Sequence, residues 1–248
     1  MKIIGIIPAR YRSSRFPGKP LTLICGKPMV WWVYQQCKKV SLLDRVYVAT
    51  DDERIERVCK EYGMEVIMTS PDHPTGSDRV AEAAGRIEGD LFINIQGDEP
   101  LIAPEMIEQV ISLFDDDQVY YGTLKEKIED GQSIASMNTV KVVTDKKDDA
   151  MFFSRSVIPS NVKEGKVSAV YRHIGIYAYR REFLKTYSQI PQSELELAEG
   201  MEALRALEAG YKLRVGETAY SSIGVDTPEQ AKEVERIIQE KWKRSDLR

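Results

Sequence analysis

No Asp or Glu occurs before Asp44, although 39 of the 248 residues are acidic. Eight Lys or Arg fill that opening stretch, so with a net charge of −4 the rest of the chain carries −12. Other absences narrow the field. Only three cysteines occur, Cys25, Cys37 and Cys59, with no C-x-x-C pair; a disulfide framework and a zinc site are excluded, and buried, inert thiols are expected. No apolar run approaches the ~20 residues that span a bilayer, and the opening Met1-Lys2-Ile3-Ile4 lacks the succession of a signal peptide. A soluble, cytoplasmic protein with no membrane partner is expected. The phosphate-binding signature G-x-x-x-x-G-K-[ST] and the dinucleotide fingerprint G-x-G-x-x-G are both missing, and no Asp-x-Asp closes a strand. Repeats, low-complexity tracts and linkers are also lacking, so residues 1–248 read as a single domain. Overall acidity argues against a nucleic-acid partner.

What is present begins with the basic run. Arg10, Arg12, Arg15 and Lys19 lie in Pro8–Pro20, after the apolar Ile3-Ile4-Gly5-Ile6-Ile7. A strand that empties into a small-residue, cation-rich loop can hold a polyanion at the carboxyl edge of a sheet, with a nucleoside triphosphate as the fitting small polyanion. The alternative is a solvated loop that binds nothing.

Apolar strands alternate with amphipathic segments. Strands are predicted at 2–7, 45–50, 65–69 and 90–96, and helices at 29–39, 53–62, 77–87 and 104–114. This rhythm implies parallel βαβ units and an α/β, doubly wound, mostly parallel sheet. After Asp115 the rhythm weakens. Strands are expected at 139–144, around 174–179 and at 213–215, with helices at 182–187, 195–209 and 227–242. The less regular stretch at about 145–200 is expected to form a subregion or a dimer arm.

Four further segments carry chemistry. In Asn94-Ile95-Gln96-Gly97-Asp98-Glu99-Pro100, Asp98 emerges at a strand's carboxyl end. A carboxylate facing a polyphosphate there needs a divalent cation between them, which makes Asp98 a candidate Mg²⁺ ligand. In Gly224-Val225-Asp226-Thr227-Pro228, Asp226 reads either as a helix cap or as a second metal carboxylate. Pro71–Arg79 is a constrained loop that either reads the edge of a base or only leads into a helix. Arg155, His173 and Tyr177, in Phe152-Phe153-Ser154-Arg155 and Arg172-His173-Ile174-Gly175-Ile176-Tyr177, could line a second pocket for an anionic substrate; a packed structural histidine is the alternative.

Taken together, Ile7–Arg10, Ser14–Leu21, Gly26–Met29, Val48–Asp52, Met68–Arg79, Asn94–Pro100, Phe152–Arg155, Arg172–Tyr177 and Gly224–Glu229 resemble the 3-deoxy-manno-octulosonate (Kdo) cytidylyltransferases, the CMP-Kdo synthetases, nearly from end to end. The resemblance implies a homodimeric nucleotidyltransferase of the nucleotide-diphospho-sugar transferase type. It would convert CTP and Kdo to CMP-Kdo and pyrophosphate for lipopolysaccharide synthesis, with Mg²⁺ as cofactor. By the same analogy Arg10 and Lys19 hold the CTP phosphates, with Ala9 and Arg15 in the same loop. Asp72, Ser77 and Arg79 serve the cytosine and ribose, Asp98 and Asp226 bind Mg²⁺, and Gln96, Arg155, His173, Tyr177 and Glu202 hold the sugar acid. One departure stands out. The family pattern Leu-Glu-Gln-Leu-Arg reads Met201-Glu202-Ala203-Leu204-Arg205 here, so Ala203 lacks an amide expected to contact the sugar. An 8-amino variant of Kdo, or another small acid, therefore stays open as acceptor. A non-catalytic nucleotide-binding protein is the rival from another class.

Overall fold

A computed structural model describes residues 1–12, 16–160 and 168–245. The chain divides into two compact units: residues Met1–Pro104 with Ser222–Arg248, and residues Glu105–Ser221.

The first unit is built on a parallel sheet. Strand β1 (Ile3–Ala9) is followed by the hairpin β2 (Leu23–Ile24) and β3 (Lys27–Pro28), then by helix α1 (Met29–Lys38), β4 (Arg45–Thr50), α2 (Glu53–Glu61), β5 (Val66–Met68), α3 (Gly76–Gly85) and β6 (Leu91–Asn94). β1 pairs in parallel with β6 on one side and β4 on the other, and β4 pairs with β5. Ile3, Ile4, Ile6 and Ile7 are all buried, as a parallel strand covered on both faces requires. The helices start where their caps dictate. The Asp52 side chain accepts from Arg54 N at α2, and Thr75 and Asp78 form a reciprocal capping box at α3. The two-residue β2–β3 turn, Cys25-Gly26, has positive φ at both positions, the geometry that suits the twist of a tight hairpin. Against that hairpin packs the C-terminal helix, Pro228–Ser245, whose Ala231, Val234 and Ile238 join Ile24, Met29 and Val225 in one buried cluster. All three thiols are free; burial pushes Cys37 and Cys59 up to about 12, so neither forms a useful thiolate.

The second unit holds α4 (Pro104–Ser112, all but its first residue), β7 (Tyr121–Ile128), α5 (Gly131–Ala135), β8 (Lys141–Thr144), β9 (Ala150–Ser154), β10 (Val170–Arg180), α6 (Arg181–Tyr187), α7 (Glu194–Glu199), α8 (Leu204–Glu208) and β11 (Arg214–Thr218). β7 pairs antiparallel with β10 and parallel with β11, while β8 pairs antiparallel with β10 and β9. Stacked rings of Tyr121, Tyr179 and Phe183 form much of its core. Segment 145–200 carries β9, β10, α6 and α7, with residues 161–167 outside those described.

Sequence expectations change here: α5 and β9 fall where no element is expected, and two further differences are larger. Strand β7 was not anticipated; its Tyr-Gly-Thr-Leu-Lys-Glu-Lys-Ile is too rich in charge and glycine to read as a strand, yet Lys125 is buried through an ion pair with Asp148 and a hydrogen bond to Thr144. The helix expected over 195–209 is broken into α7 and α8. Gly200 adopts φ 59, a left-handed cap that ends a helix, and Met201-Glu202-Ala203 turn the chain before α8 begins.

Candidate active site

In the first unit, the loops leaving β1 and β6 converge with the segment preceding the C-terminal helix. They enclose a cavity of about 530 Å³ lined by Ala9, Arg10, Arg12, Lys19, Arg79, Gln96, Gly97, Asp98 and Asp226, among others. Carboxyl ends of parallel strands are where open α/β sheets bind ligands. Gly97 is indispensable to this convergence: a Cβ there would stand 2.8 Å from Pro8 O. Val225 N donates to Asp98 O at 2.8 Å, which joins the two aspartate-bearing loops through the backbone.

Lys19 lies between the two acids. Its Nζ is 2.6 Å from Asp98 Oδ2 and 3.1 Å from Asp226 Oδ1. Both carboxylates therefore converge on one position already occupied by a positive charge. Thr227 caps the helix, its Oγ1 accepting from Gln230 N. Asp226 N is satisfied separately by Gln230 Oε1 at 2.7 Å. The two readings of Asp226 are compatible, since a carboxylate has two oxygens, and one of them lies on Lys19. Arg10 and Arg12 are exposed on the cavity wall, and no described carboxylate pairs with either, so their charge is directed to whatever enters. Arg15 lies outside the described residues.

The Pro71–Arg79 loop contributes unequally. Arg79 reaches the cavity while buried, with NH1 2.6 Å from Thr69 Oγ1 and NH2 3.1 Å from Asp51 Oδ1. Burial pulls its pKa below the usual guanidinium value; Asp51 opposes this and the Arg10 charge adds to it. Ser77 is wholly buried and accepts from Asn94 Nδ2 at 3.2 Å, tying α3 to the end of β6. Asp72 is exposed and turns back on Ser70. Neither lines the cavity. Three residues that the sequence reading did not single out do: His73, Thr75 and Gly76. The Thr75-x-x-Asp78 capping box, legible in the sequence, fixes the start of α3 beside them. His73 pairs with Glu82. Burial opposes ionisation of Glu82, but hydrogen bonds from His73 and Ser70 N and the charge of Arg86 outweigh it, so Glu82 lies below the usual carboxylate range. Gln96 lines the same cavity and donates to Asn94 Oδ1 at 3.1 Å.

The other candidates lie in the second unit, His173 beside Tyr177 and Tyr177 near Glu202, with Arg155 next to the end of β9. Glu199 accepts from Ser154 Oγ and Arg155 N through its carboxylate, and its carbonyl accepts from Arg155 Nε. Arg155 NH1 donates to Met137 O, and Lys141 Nζ, caged by three carbonyls, donates to Arg155 O at 2.6 Å. Arg155 is thus held from several sides at the end of β9. The His173 ring stands 5.2 Å from that of Tyr177 and meets Phe153 edge-on. Burial lowers its pKa to about 3, so it is neutral at physiological pH. Tyr177 OH contacts Met201 Sδ, and Tyr187 OH donates to Glu202 O. Burial, with Glu202 and Tyr179 nearby, raises Tyr177 well above the ordinary phenol; it acts as a neutral hydrogen-bonding group. Ala203 is fully buried at the same turn. Glu199 and Lys141 escaped sequence reading because neither belongs to a motif; only the fold brings them to Arg155.

A sequence model of the family described as "Cytidylyltransferase" matches residues 4–215. The 3-deoxy-manno-octulosonate cytidylyltransferase of Geobacter metallireducens is 49% identical over 240 residues, spanning 92% of this chain and 94% of its own. That of Syntrophotalea carbinolica is 49% identical over 244 residues, spanning 95% and 98%. Among solved structures, one of CMP:2-keto-3-deoxy-manno-octonic acid synthetase complexed with CTP superposes with a TM-score of 0.92 at 42% identity, over 97% of this chain and 100% of that one.

Proposed function

The chain belongs to the 3-deoxy-manno-octulosonate cytidylyltransferases, and from that premise we propose how its residues divide the work. As a nucleotidyltransferase of this family it converts CTP and Kdo to CMP-Kdo and pyrophosphate. The observation that carries the assignment of roles is the Lys19 ammonium held by both Asp98 and Asp226 in a cavity walled by Arg10 and Arg12.

The anomeric hydroxyl of Kdo attacks the α-phosphorus of CTP. One O–P bond forms, the bond to pyrophosphate breaks, and the hydroxyl proton passes to solvent. The substrate brings its own nucleophile, so the protein's task is positioning and charge compensation. Arg10 and Lys19 hold the phosphates and offset the charge that collects on pyrophosphate, with Ala9 and Arg15 completing their loop. The cytosine and ribose are met on the Asp72–Arg79 side, Arg79 from the cavity wall and Ser77 by anchoring α3.

A Mg²⁺ ion is the cofactor we assign. The residues fit it: two carboxylates already converge on a cation, and a hard ion that keeps several waters and phosphate oxygens needs only one or two protein carboxylates. No group of three or more His, Cys, Asp or Glu suited to a metal occurs among the described residues. When bound, the ion supplies Lewis-acid polarisation of the phosphate. Asp98 and Asp226 would hold it.

Gln96, Arg155, His173, Tyr177 and Glu202 take the sugar acid, with Arg155 answering its carboxylate. Ala203 favours a second reading of the acceptor, in which an 8-amino variant of Kdo or another small acid replaces it, because the turn offers no amide at that position. The wider setting we infer is cytoplasmic synthesis of lipopolysaccharide precursors. No described helix is long and apolar enough to cross a membrane. We also assign a homodimer built through segment 145–200, in which Met151, Val157, Leu195 and Leu197 are exposed.

The test is pyrophosphate release with CTP, Mg²⁺ and a panel of acceptors. Turnover with Kdo at least matching its 8-amino analogue is expected. A clear preference for the analogue shifts the acceptor to the second reading, and release from none, despite tight CTP binding, overturns the catalytic reading.

A further inference from the structure

Strand β10 carries a bulge where it passes β7. From Leu124 to Thr123, β7 moves by one residue, while β10 moves from Ile174 to Tyr177. Gly175 and Ile176 are thrown out of the ladder, as bulged residues are. The carbonyls of Ile174 and Ile176 consequently reach the same hydroxyl. Thr123 Oγ1 lies 3.2 Å from Ile174 O and 2.7 Å from Ile176 O, and 3.0 Å from His173 Nε2. Thr123 is wholly buried.

Proton counting settles who donates. A threonine hydroxyl has one proton, and carbonyl oxygens only accept. At 2.7 Å the contact with Ile176 O requires a proton between the oxygens, since two facing lone pairs would repel. That proton comes from Thr123. The remaining contact is a hydrogen bond only if Nε2 carries the hydrogen and donates it to Oγ1. Protonating both ring nitrogens would also satisfy Nε2, but burial keeps the ring neutral. Nδ1 is then a bare lone pair, and no described residue hydrogen-bonds to it.

We propose that Thr123 is a positioning residue that locks His173 in its Nε2–H tautomer, so that Nδ1 accepts a hydrogen bond from a hydroxyl of the acceptor sugar. The substrate half rests on the reading above that His173 meets the sugar acid. An accepting nitrogen selects a hydroxyl or ammonium and disfavours a carboxylate, so His173 reads the sugar's hydroxyl pattern and not its charge. Tautomer choice of this kind is set by the hydrogen bond made at the other nitrogen.

The experiment is ¹⁵N NMR of the full chain labelled at histidine, without substrate, paired with kinetics. The chain has two histidines, and His173→Gln identifies which signals belong to His173. We expect a protonated Nε2 and an unprotonated Nδ1 at pH 7. In Thr123→Val that preference is lost and KM for the sugar rises about tenfold, the scale of one or two hydrogen bonds, with kcat little changed; Thr123→Ser restores both. A wild-type ring protonated at Nδ1 overturns the proposal, and this reading stands even if Thr123→Val does not fold. Retention of the Nε2–H form in Thr123→Val overturns the role of Thr123. A tautomer switch with unchanged KM overturns the substrate half. Because the spectrum needs no turnover, failure of the cytidylyltransferase reading would show separately, as absence of pyrophosphate release in the wild type.

Discussion

The cavity of the first unit and the aromatic cluster of the second handle charge in opposite ways. The first gathers charge: two exposed arginines, a lysine and two aspartates on loops at strand ends. The second suppresses charge: a neutral histidine, a phenol pushed far from ionisation and a wall of stacked rings. A polyphosphate, which we assign to the first, is bound by countercharge that must also respond to the departing group, and exposed arginines suit that task. A sugar is distinguished by the direction of its hydroxyls, and that needs dry, fixed donors and acceptors. The same difference appears in how each site is braced. A backbone hydrogen bond from Val225 braces Asp98, whereas side-chain bonds hold the other site: Arg155 to two carbonyls and His173 to the Thr123 hydroxyl.

The contrast can be broken most forcefully at Asp98. Asp98→Asn keeps the shape and removes the charge; kcat should fall about 10³-fold, the several kcal/mol that a ligated ion supplies, with an unaltered melting curve. Retention of most of the rate would show that the charged site does not work through a cation. Next is Lys19→Ala, for which we expect a loss in kcat of about 10²–10³-fold that exceeds any change in KM for Kdo; equal turnover at saturating CTP and Mg²⁺ would contradict the role of Lys19 at the leaving group. Gly97→Ala probes the backbone bracing. Its new Cβ would crowd Pro8 O, and the expected cost is about 1–3 kcal/mol of stability, read from chemical denaturation; an unchanged midpoint would mean that the two loops have slack.

A fourth test sharpens the dry side. His173 titrates near 3 in the folded chain against about 6.5 when unfolded. Between those values the unfolded chain binds a proton that the native ring refuses, so stability drops as pH falls from about 6.5 toward 3. His173→Gln should show a shallower loss over that window, and parallel curves would mean that the ring is solvated. The smallest effect is expected at the Arg54 guanidinium, 3.3 Å from the Tyr11 ring centre and clamped by Asp52. Arg54→Ala removes an exposed cation–π contact beside the basic loop, and KM for CTP should rise by roughly two- to fivefold.

Legibility in the sequence followed the same divide. β1, β4 and α1 were readable nearly to the residue, because buried parallel strands are unbroken apolar runs and α1 keeps helical spacing. Asp98 and Asp226 were visible as glycine-flanked acids after apolar runs. In the second unit β7 hid behind Lys125 and Glu126, whose charges are answered by residues elsewhere in the unit. The break at Gly200 was missed because Leu195–Ala209 is otherwise a strong helical pattern, and one glycine within it does not announce a turn. Thr123 left no trace in the sequence: its role arises from a bulge, and bulges belong to the register between strands.

The hydrogen bond from Val225 to Asp98 O has a consequence for biogenesis. The two acids are brought together by segments made at different times, with the whole second unit translated between them. The contact of both acids with Lys19 therefore cannot form until residue 226 has left the ribosome, so this cluster is completed only late in synthesis.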